Sequence, residues 1–268
     1  MRRAPRRVIP TLSEAKGRDR GGWAALIVAL VTVCVSCNRL PRQASRPAAN
    51  EPTVRATVVT IQTTMQPANK TYTHTLVIAN DRARSSDEID GWRLFDFRQK
   101  SVTFVDDLAK TYRSVPFAEV VASHRAALAR PLPEGMPHAQ FVAGGAEKTL
   151  QGVPSKQSMI RIGAYQRELW IASHPLIPPG LFAIMQASGP VSSPLAGVMR
   201  AAGEALLIVQ GYPLADHAEL PYENRKLIVD NTVVKIEQRV VPAAWLNVSS
   251  AYKEVKPAPE NEKQQQSK

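Results

Sequence analysis

The side chains that could perform chemistry in this 268-residue chain are few and widely separated. The five histidines never occur at HxH or HxxxH spacing, which would place two metal ligands on one side of a strand or helix. They are His74, His124, His138, His174 and His217. Asp106 and Asp107 are adjacent between two strand-like segments, where turn formation explains them better than acid/base catalysis does. We therefore predict no metal site, no cofactor and no catalytic residue.

The segment 144–149 (GGAEKT) has the Gly-Gly and Lys-Thr of a phosphate-binding loop. Glu147 occupies the position where such a loop needs a glycine, and its carboxylate would repel a phosphate. The chain also contains no GxSxG nucleophile motif. A hydrolase is therefore a remote alternative, which would need a polar cleft that brings a histidine close to an acidic residue.

The only two cysteines, Cys34 and Cys37, lie near the N-terminus. The rest of the chain therefore cannot be a disulfide scaffold, a Cys-ligated zinc module, an iron–sulfur protein or a thiol enzyme. Cys34 lies inside an uncharged run of 14 residues, 23–36, which follows a basic head. A helix that spans a bilayer needs about 20 apolar residues, whereas the core of a secretory signal has roughly 7–15. The sequence therefore predicts an export signal.

The tripeptide Val35-Ser36-Cys37 resembles the lipobox of bacterial lipoproteins. The resemblance implies that residues 1–37 are a signal peptide with its lipobox, and that Cys37 starts the mature chain and carries the lipid. The protein would then be anchored in a membrane, on the periplasmic side or at the cell surface of a bacterium. An uncleaved anchor helix and an ordinary cleaved signal are the two alternatives, and both of them also export the rest of the chain.

The net charge of +11 is shared between the export signal and the remainder of the chain. Residues 1–36 contain seven basic and two acidic residues, so residues 37–268 carry +6, with no run of five like charges. We therefore predict no nucleic-acid partner. The composition of segment 38–52 predicts a flexible tether, and that of the tail 256–268 predicts disorder.

The intervening segment, 53–255, has the pattern of a single mainly-β domain. About ten runs rich in β-branched and aromatic residues alternate with short turns, which predicts antiparallel pairing. We assign strands to 54–62, 72–79, 92–97, 101–105, 111–115, 147–150, 156–162, 167–172, 205–211, 225–229 and 232–240. Asp230 and Asn231 tolerate positive φ, so we assign them to a two-residue hairpin turn.

Two further segments have apolar residues at helical spacing. Residues 117–130 lie between two prolines and predict one helix, and residues 179–202 predict two short helices around a proline-rich break. An apolar sheet face has to be covered by another element. The expected fold is therefore mainly β (α+β), a curved antiparallel sheet or half-barrel with two or three short helices over its concave face.

The order of several short motifs resembles a family of exported bacterial lipoproteins of unknown function, similar in architecture to the outer-membrane lipoprotein carriers. The main motif is Ser101–Tyr112 (SVTFVDDLAKTY), an apolar strand, an Asp and then Lys-Thr-Tyr. It is followed in order by Gly152 in a TLQG turn, Glu168-Leu169-Trp170, Gly211–Leu214 and Val233–Val240. The resemblance covers about residues 55–250. It implies a half-barrel with helices over its mouth, in which carriers hold acyl chains, and it implies no catalytic residues.

The apolar side chains of the helical segments could line a cavity for an apolar or lipid ligand. The candidates are Leu181, Phe182, Ile184, Met185, Leu195, Val198, Met199, Trp92 and Trp170. A filled hydrophobic core explains the same residues, because any apolar sheet face must be covered. Two functions therefore stay open, namely a carrier of an apolar ligand and a structural or interaction protein of the cell envelope.

Overall fold

The computed structural model describes residues 51–86, 91–129, 139–189, 202–203, 206–207, 209–222 and 225–256. The predicted signal peptide, nearly all of the tether and of the tail, and the second helix predicted in 179–202 lie outside these residues, so they stay predictions. No helix among the described residues is long and apolar enough to span a membrane.

Strands dominate the described part of the chain. The twelve strands are β1 Thr53–Gln66, β2 Lys70–Ala79, β3 Arg82–Ser85, β4 Gly91–Asp96, β5 Ser101–Asp106, β6 Thr111–Pro116, β7 Gln140–Leu150, β8 Val153–Ile162, β9 Tyr165–Ala172, β10 Tyr212–Tyr222, β11 Arg225–Pro242 and β12 Lys253–Glu254. Helix α1 is Phe117–Leu128, helix α2 is Leu181–Ala187, and the 3-10 helix η1 is Ala243–Leu246.

All twelve strands form one curved sheet that does not close. Its order is β12-β6-β5-β4-β3-β2-β1-β11-β10-β9-β8-β7. Only the β12–β6 pair is parallel among these described strands, and β1 pairs with β11 in the middle of the sheet. The predicted mainly-β half-barrel is therefore confirmed.

Both faces of the sheet are apolar in the region of β4, where the sequence predicted one apolar face. We call the side covered by α1 and α2 the helix face, and the other side the outer face. Phe95 joins the buried cluster of the helix face. Trp92 and Leu94 join a second cluster on the outer face, which η1 covers with Leu246. Alternate residues of β4 are therefore buried against different elements.

The strand predicted at 205–211 is wrong. Leu206 and Leu207 are helical, and the strand in this part of the chain is β10, which begins at Tyr212. The sequence of β10 contains two prolines, and proline cannot donate a hydrogen bond to the ladder. The structure tolerates Pro213 at a register shift and Pro221 one residue from the end of the strand.

The hairpin turn predicted at Asp230-Asn231 is also wrong, because β11 runs without interruption through both residues. Thr63 on β1 donates a hydrogen bond to Asn231 Oδ1 (2.6 Å), and the Asp230 carboxylate lies 2.6 Å from His217 Nδ1 on β10. Strands on both sides therefore provide polar partners for these two side chains, and a turn is not needed to satisfy them.

Candidate functional site

Helix α2 carries four of the nine candidate residues to the helix face. Leu181, Phe182 and Ile184 are 0%, 5% and 6% exposed, and Met185 lies partly buried at the margin of the same cluster. The ring of Phe182 meets Tyr212 edge-on, with a centroid distance of 6.2 Å. This edge-on geometry is one that aromatic pairs favour.

The other five candidates are not brought together with α2 by the described residues. Leu195, Val198 and Met199 lie outside that part of the chain. Trp92 belongs to the outer-face cluster, and its indole donates to Asp107 Oδ1 (3.3 Å). Trp170 follows Leu169, which points to the helix face, so the Trp170 side chain lies on the outer face and donates to Glu168 Oε1 (2.6 Å).

The C-terminal end of α2 is held by a buried arginine that the sequence did not single out. Arg93 on β4 donates through Nη1 to the Met185 carbonyl (3.2 Å) and to Ser188 Oγ (2.8 Å). The last carbonyls of a helix lack partners within the helix, and a cation is favourable there. The short helix is thereby fastened to the sheet at this end.

A chain of polar groups crosses four strands of the helix face. Arg167 on β9 donates to both carboxylate oxygens of Asp216 on β10, from Nε at 2.9 Å and from Nη2 at 2.7 Å. Asn231 on β11 donates to Asp216 Oδ2 (3.2 Å) and accepts from Thr63 Oγ1 on β1 (2.6 Å). These four polar side chains therefore lie in a face whose other buried residues are mostly apolar.

The row of polar side chains is largely buried, and this burial affects the pKa values of its ionisable groups. The side chains of Arg167 and Asp216 are only 12% and 9% exposed. Burial by itself lowers the pKa of Arg167, but the attraction of Asp216 and its two hydrogen bonds outweigh burial and raise that pKa above its ordinary value. Burial raises the pKa of the neighbouring Tyr165 phenol. Arg167 therefore keeps its proton beside the Asp216 carboxylate, within an otherwise hydrophobic surface.

A second cluster of polar side chains lies on the outer face, with His217 at its centre. His217 Nδ1 is 2.6 Å from Asp230 Oδ1, and His217 Nε2 is 3.3 Å from Glu219 Oε1. Lys226 donates to Glu219 (2.7 Å). The hydrogen bond with Asp230 is the main reason that the pKa of His217 is raised above its ordinary value. No group of three or more residues suited to hold a metal ion occurs among the described residues.

The acidic pair Asp106-Asp107 and the glycine-rich segment 144–149, which the sequence analysis considered as possible sites, lie in a turn and in a strand. Asp106 Oδ1 accepts from the Ala109 N–H (2.7 Å) in a turn, and Asp107 accepts from the Tyr252 hydroxyl (2.6 Å). The glycine-rich segment 144–149 is part of strand β7, at a register shift, so it has no phosphate-loop geometry.

No protein-family model matches this chain, and no curated protein matches it in sequence. Among solved structures, it is similar to PNGF-II with a TM-score of 0.42 and 10% identity, over 76% of this chain and 31% of that chain. The chain thus spans about a third of the length of PNGF-II.

An uncharacterized conserved protein from Thermus thermophilus gives a TM-score of 0.35 and 12% identity, over 75% of this chain and 89% of that one. A LolA superfamily protein from Nitrosomonas europaea gives 0.24 and 10% identity, over 74% and 91%. Each likeness is a partial one, and the functional assignment depends on this chain's own residues.

Proposed function

We propose that the protein is an exported, lipid-anchored protein of the bacterial envelope that binds an apolar or lipid ligand on the helix face, without catalysing a reaction. The observation that carries the proposal is the way this face is covered. A curved, unclosed sheet presents a large apolar surface, and the seven-residue helix α2 is one of the short helical segments that cover it.

The contacts of α2 support a role as a movable cover. Its buried side chains provide hydrophobic contact, and polar contact is concentrated at the Arg93 end. A helix of seven residues is too short to be stable by itself, so its position depends on these few contacts. Displacement of α2 would expose Leu181, Phe182 and Ile184 together with the sheet, which is a surface suited to an acyl chain.

The ion pair in the same face favours an amphiphilic ligand over a pure hydrocarbon. Arg167 and Asp216 supply a charged site beside apolar residues such as Leu169 and Leu214. Lipid-binding pockets that are mostly apolar use a few polar groups to orient the ligand. An acyl chain with a polar head would fit this distribution.

A structural or interaction protein of the envelope is the second candidate. The observation in its favour is that Leu181 and Phe182 are already buried to 5% exposure or less, as in a filled core. Such a protein would need no ligand to complete its packing.

The ligand proposal is tested at the margin of the cluster, where a substitution does not disrupt the core. We expect Met185→Lys to weaken binding of the fluorescent fatty acid cis-parinaric acid by about tenfold, because a charge would face the acyl chain. Leu108→Lys is the matched control, since Leu108 is 80% exposed. Equal affinities of the two variants and the wild type in a fluorescence titration would contradict binding beneath α2.

The anchor proposal is tested by cell fractionation. We expect Cys37→Ser to move the protein from the membrane fraction to the soluble exported fraction, because the side chain that would carry the lipid is lost. Cys34→Ser is the matched control and should leave the protein in the membrane fraction. Retention of Cys37→Ser in membranes would favour an uncleaved anchor helix.

A further inference from the structure

The outer face contains a cleft that is separate from the proposed ligand site. Its volume is about 440 Å³, and it lies between the start of β1, the turns that follow β2 and β4, and helix η1. Ligand sites typically have about 300–1,000 Å³ and combine an apolar lining with a few polar groups. The cleft has both, with Val54, Ala79 and Leu246 as apolar lining residues.

The floor of the cleft is a fixed ion pair. Arg82 Nε donates to Asp96 Oδ2 (2.9 Å), and the Asp96 side chain is 8% exposed. The other oxygen of Asp96 accepts from the Gln99 N–H (2.8 Å). Both oxygens of the only acidic residue in the described lining are therefore occupied, and its charge is balanced by Arg82.

The same arginine is held in place from the opposite wall. Arg82 Nη1 donates to Asn247 Oδ1 (2.8 Å) and to the Leu246 carbonyl (3.3 Å), which leaves Nη2 with no partner among the described residues. The Arg82 side chain is 33% exposed, so this nitrogen can reach a molecule in the cleft. A guanidinium fixed in this way loses little conformational freedom when it binds an anion.

Arg98 gives the lining an excess positive charge. It is an exposed lining residue in the turn after β4, and it makes no hydrogen bond or ion pair with any residue that the structure describes. With Arg82 balanced by Asp96, the lining has a net charge of +1. Two arginines beside an apolar wall are suited to a carboxylate or phosphate group, because guanidinium binds such groups in a bidentate geometry.

We propose that this cleft binds a small organic anion, a carboxylate or phosphate monoester with a short apolar part. The anionic group contacts Arg98 and Arg82 Nη2, and the apolar part contacts Val54, Ala79 and Leu246. The site is independent of the acyl-chain site, because it lies on the other face of the sheet.

Calorimetric titration of the full-length protein with four soluble probes tests the proposal. Butyl phosphate and butanoate represent the two anionic groups, butan-1-ol lacks the charge, and inorganic phosphate lacks the apolar part. We expect at least one organic anion to bind more tightly than butan-1-ol and inorganic phosphate. No binding of either organic anion up to about 10 mM, or binding of butan-1-ol or inorganic phosphate that is equally tight, would overturn the proposal.

Substitution of Arg98 shows whether the bound anion is in this cleft. We expect Arg98→Gln to weaken binding of the organic anion about tenfold, and it should fold normally because the exposed Arg98 side chain makes no hydrogen bond or ion pair with the described residues. Arg161→Gln, at an exposed position on β8, is the matched control and should leave the affinity unchanged. Equal affinities of the two variants would overturn the assignment to this cleft.

Discussion

Asp216→Ala is expected to lower the free energy of unfolding by about 3–5 kcal/mol, which is the cost of leaving a buried charge without its partner. Arg167 is held at 2.7 Å and 2.9 Å by the two oxygens of Asp216, and both side chains are buried. The substitution also removes the acceptor of Asn231. Urea denaturation followed by circular dichroism measures the loss as a lower midpoint.

The matched control for this prediction is Asp230→Ala in the neighbouring strand. Asp230 also accepts a charge-assisted hydrogen bond, but its side chain and that of His217 are each 40% exposed. Solvent screens such a pair, so the expected loss is below about 1 kcal/mol. Equal losses for Asp216→Ala and Asp230→Ala would show that the Arg167–Asp216 pair is not desolvated in solution.

A double replacement distinguishes the cost of leaving the Arg167 charge unpaired from the cost of losing the whole ion pair. Arg167→Met combined with Asp216→Leu removes both charges and retains side-chain volume. We expect this double variant to be more stable than Asp216→Ala, because the cost of a buried ion pair often equals or exceeds its benefit. A double variant as unstable as Asp216→Ala would show that the ion pair itself stabilises the sheet.

Leu181→Ala is expected to lower the free energy of unfolding by about 2–5 kcal/mol. Leu181 is the first residue of α2 and is completely buried between the helix and the sheet. The shorter side chain would lose its hydrophobic contacts and leave a cavity that the short helix can fill only in part. Thermal and urea denaturation both measure the effect.

Leu108→Ala is the control, because the same change at an 80% exposed position should alter stability by less than about 0.5 kcal/mol. Leu181→Ala with a stability as high as that of Leu108→Ala would show that α2 does not pack on the sheet in solution. A bound acyl chain would add stability to the wild type in proportion to its occupancy, since a ligand that binds only the folded state raises the free energy of unfolding.

Local signals in the sequence predicted much of the fold. The hairpin from Ser101 to Pro116 follows from two β-branched runs with an Asp-rich turn between them, and α1 follows from helical spacing after Pro116. Strand β3, at Arg82–Ser85, was missed because it has four residues and two of them are arginines. Strand β10 was missed because its two prolines and its acidic residues hide the apolar alternation.

The candidate site was predicted only in part, because most of its polar contacts join residues distant in the sequence. Arg167 and Asp216 are 49 positions apart and belong to strands whose pairing no local pattern reveals. Arg93 and Ser188 are 95 positions apart. The apolar residues of α2 were found because helical spacing indicates them. Trp92 and Trp170 were included on residue type, which does not indicate the face of the sheet on which a side chain lies.

The central claim, that the helix face binds an acyl-chain ligand, is tested most directly by native mass spectrometry of the protein purified from its own membranes. The Cys37→Ser form, purified from the exported fraction, provides a version without the covalent lipid. We expect both forms to carry an additional non-covalent mass that dissociates on collisional activation as an acyl-chain lipid. Spectra that contain only the ligand-free polypeptide, with or without its covalent lipid, would contradict the claim and favour an envelope protein with a filled core.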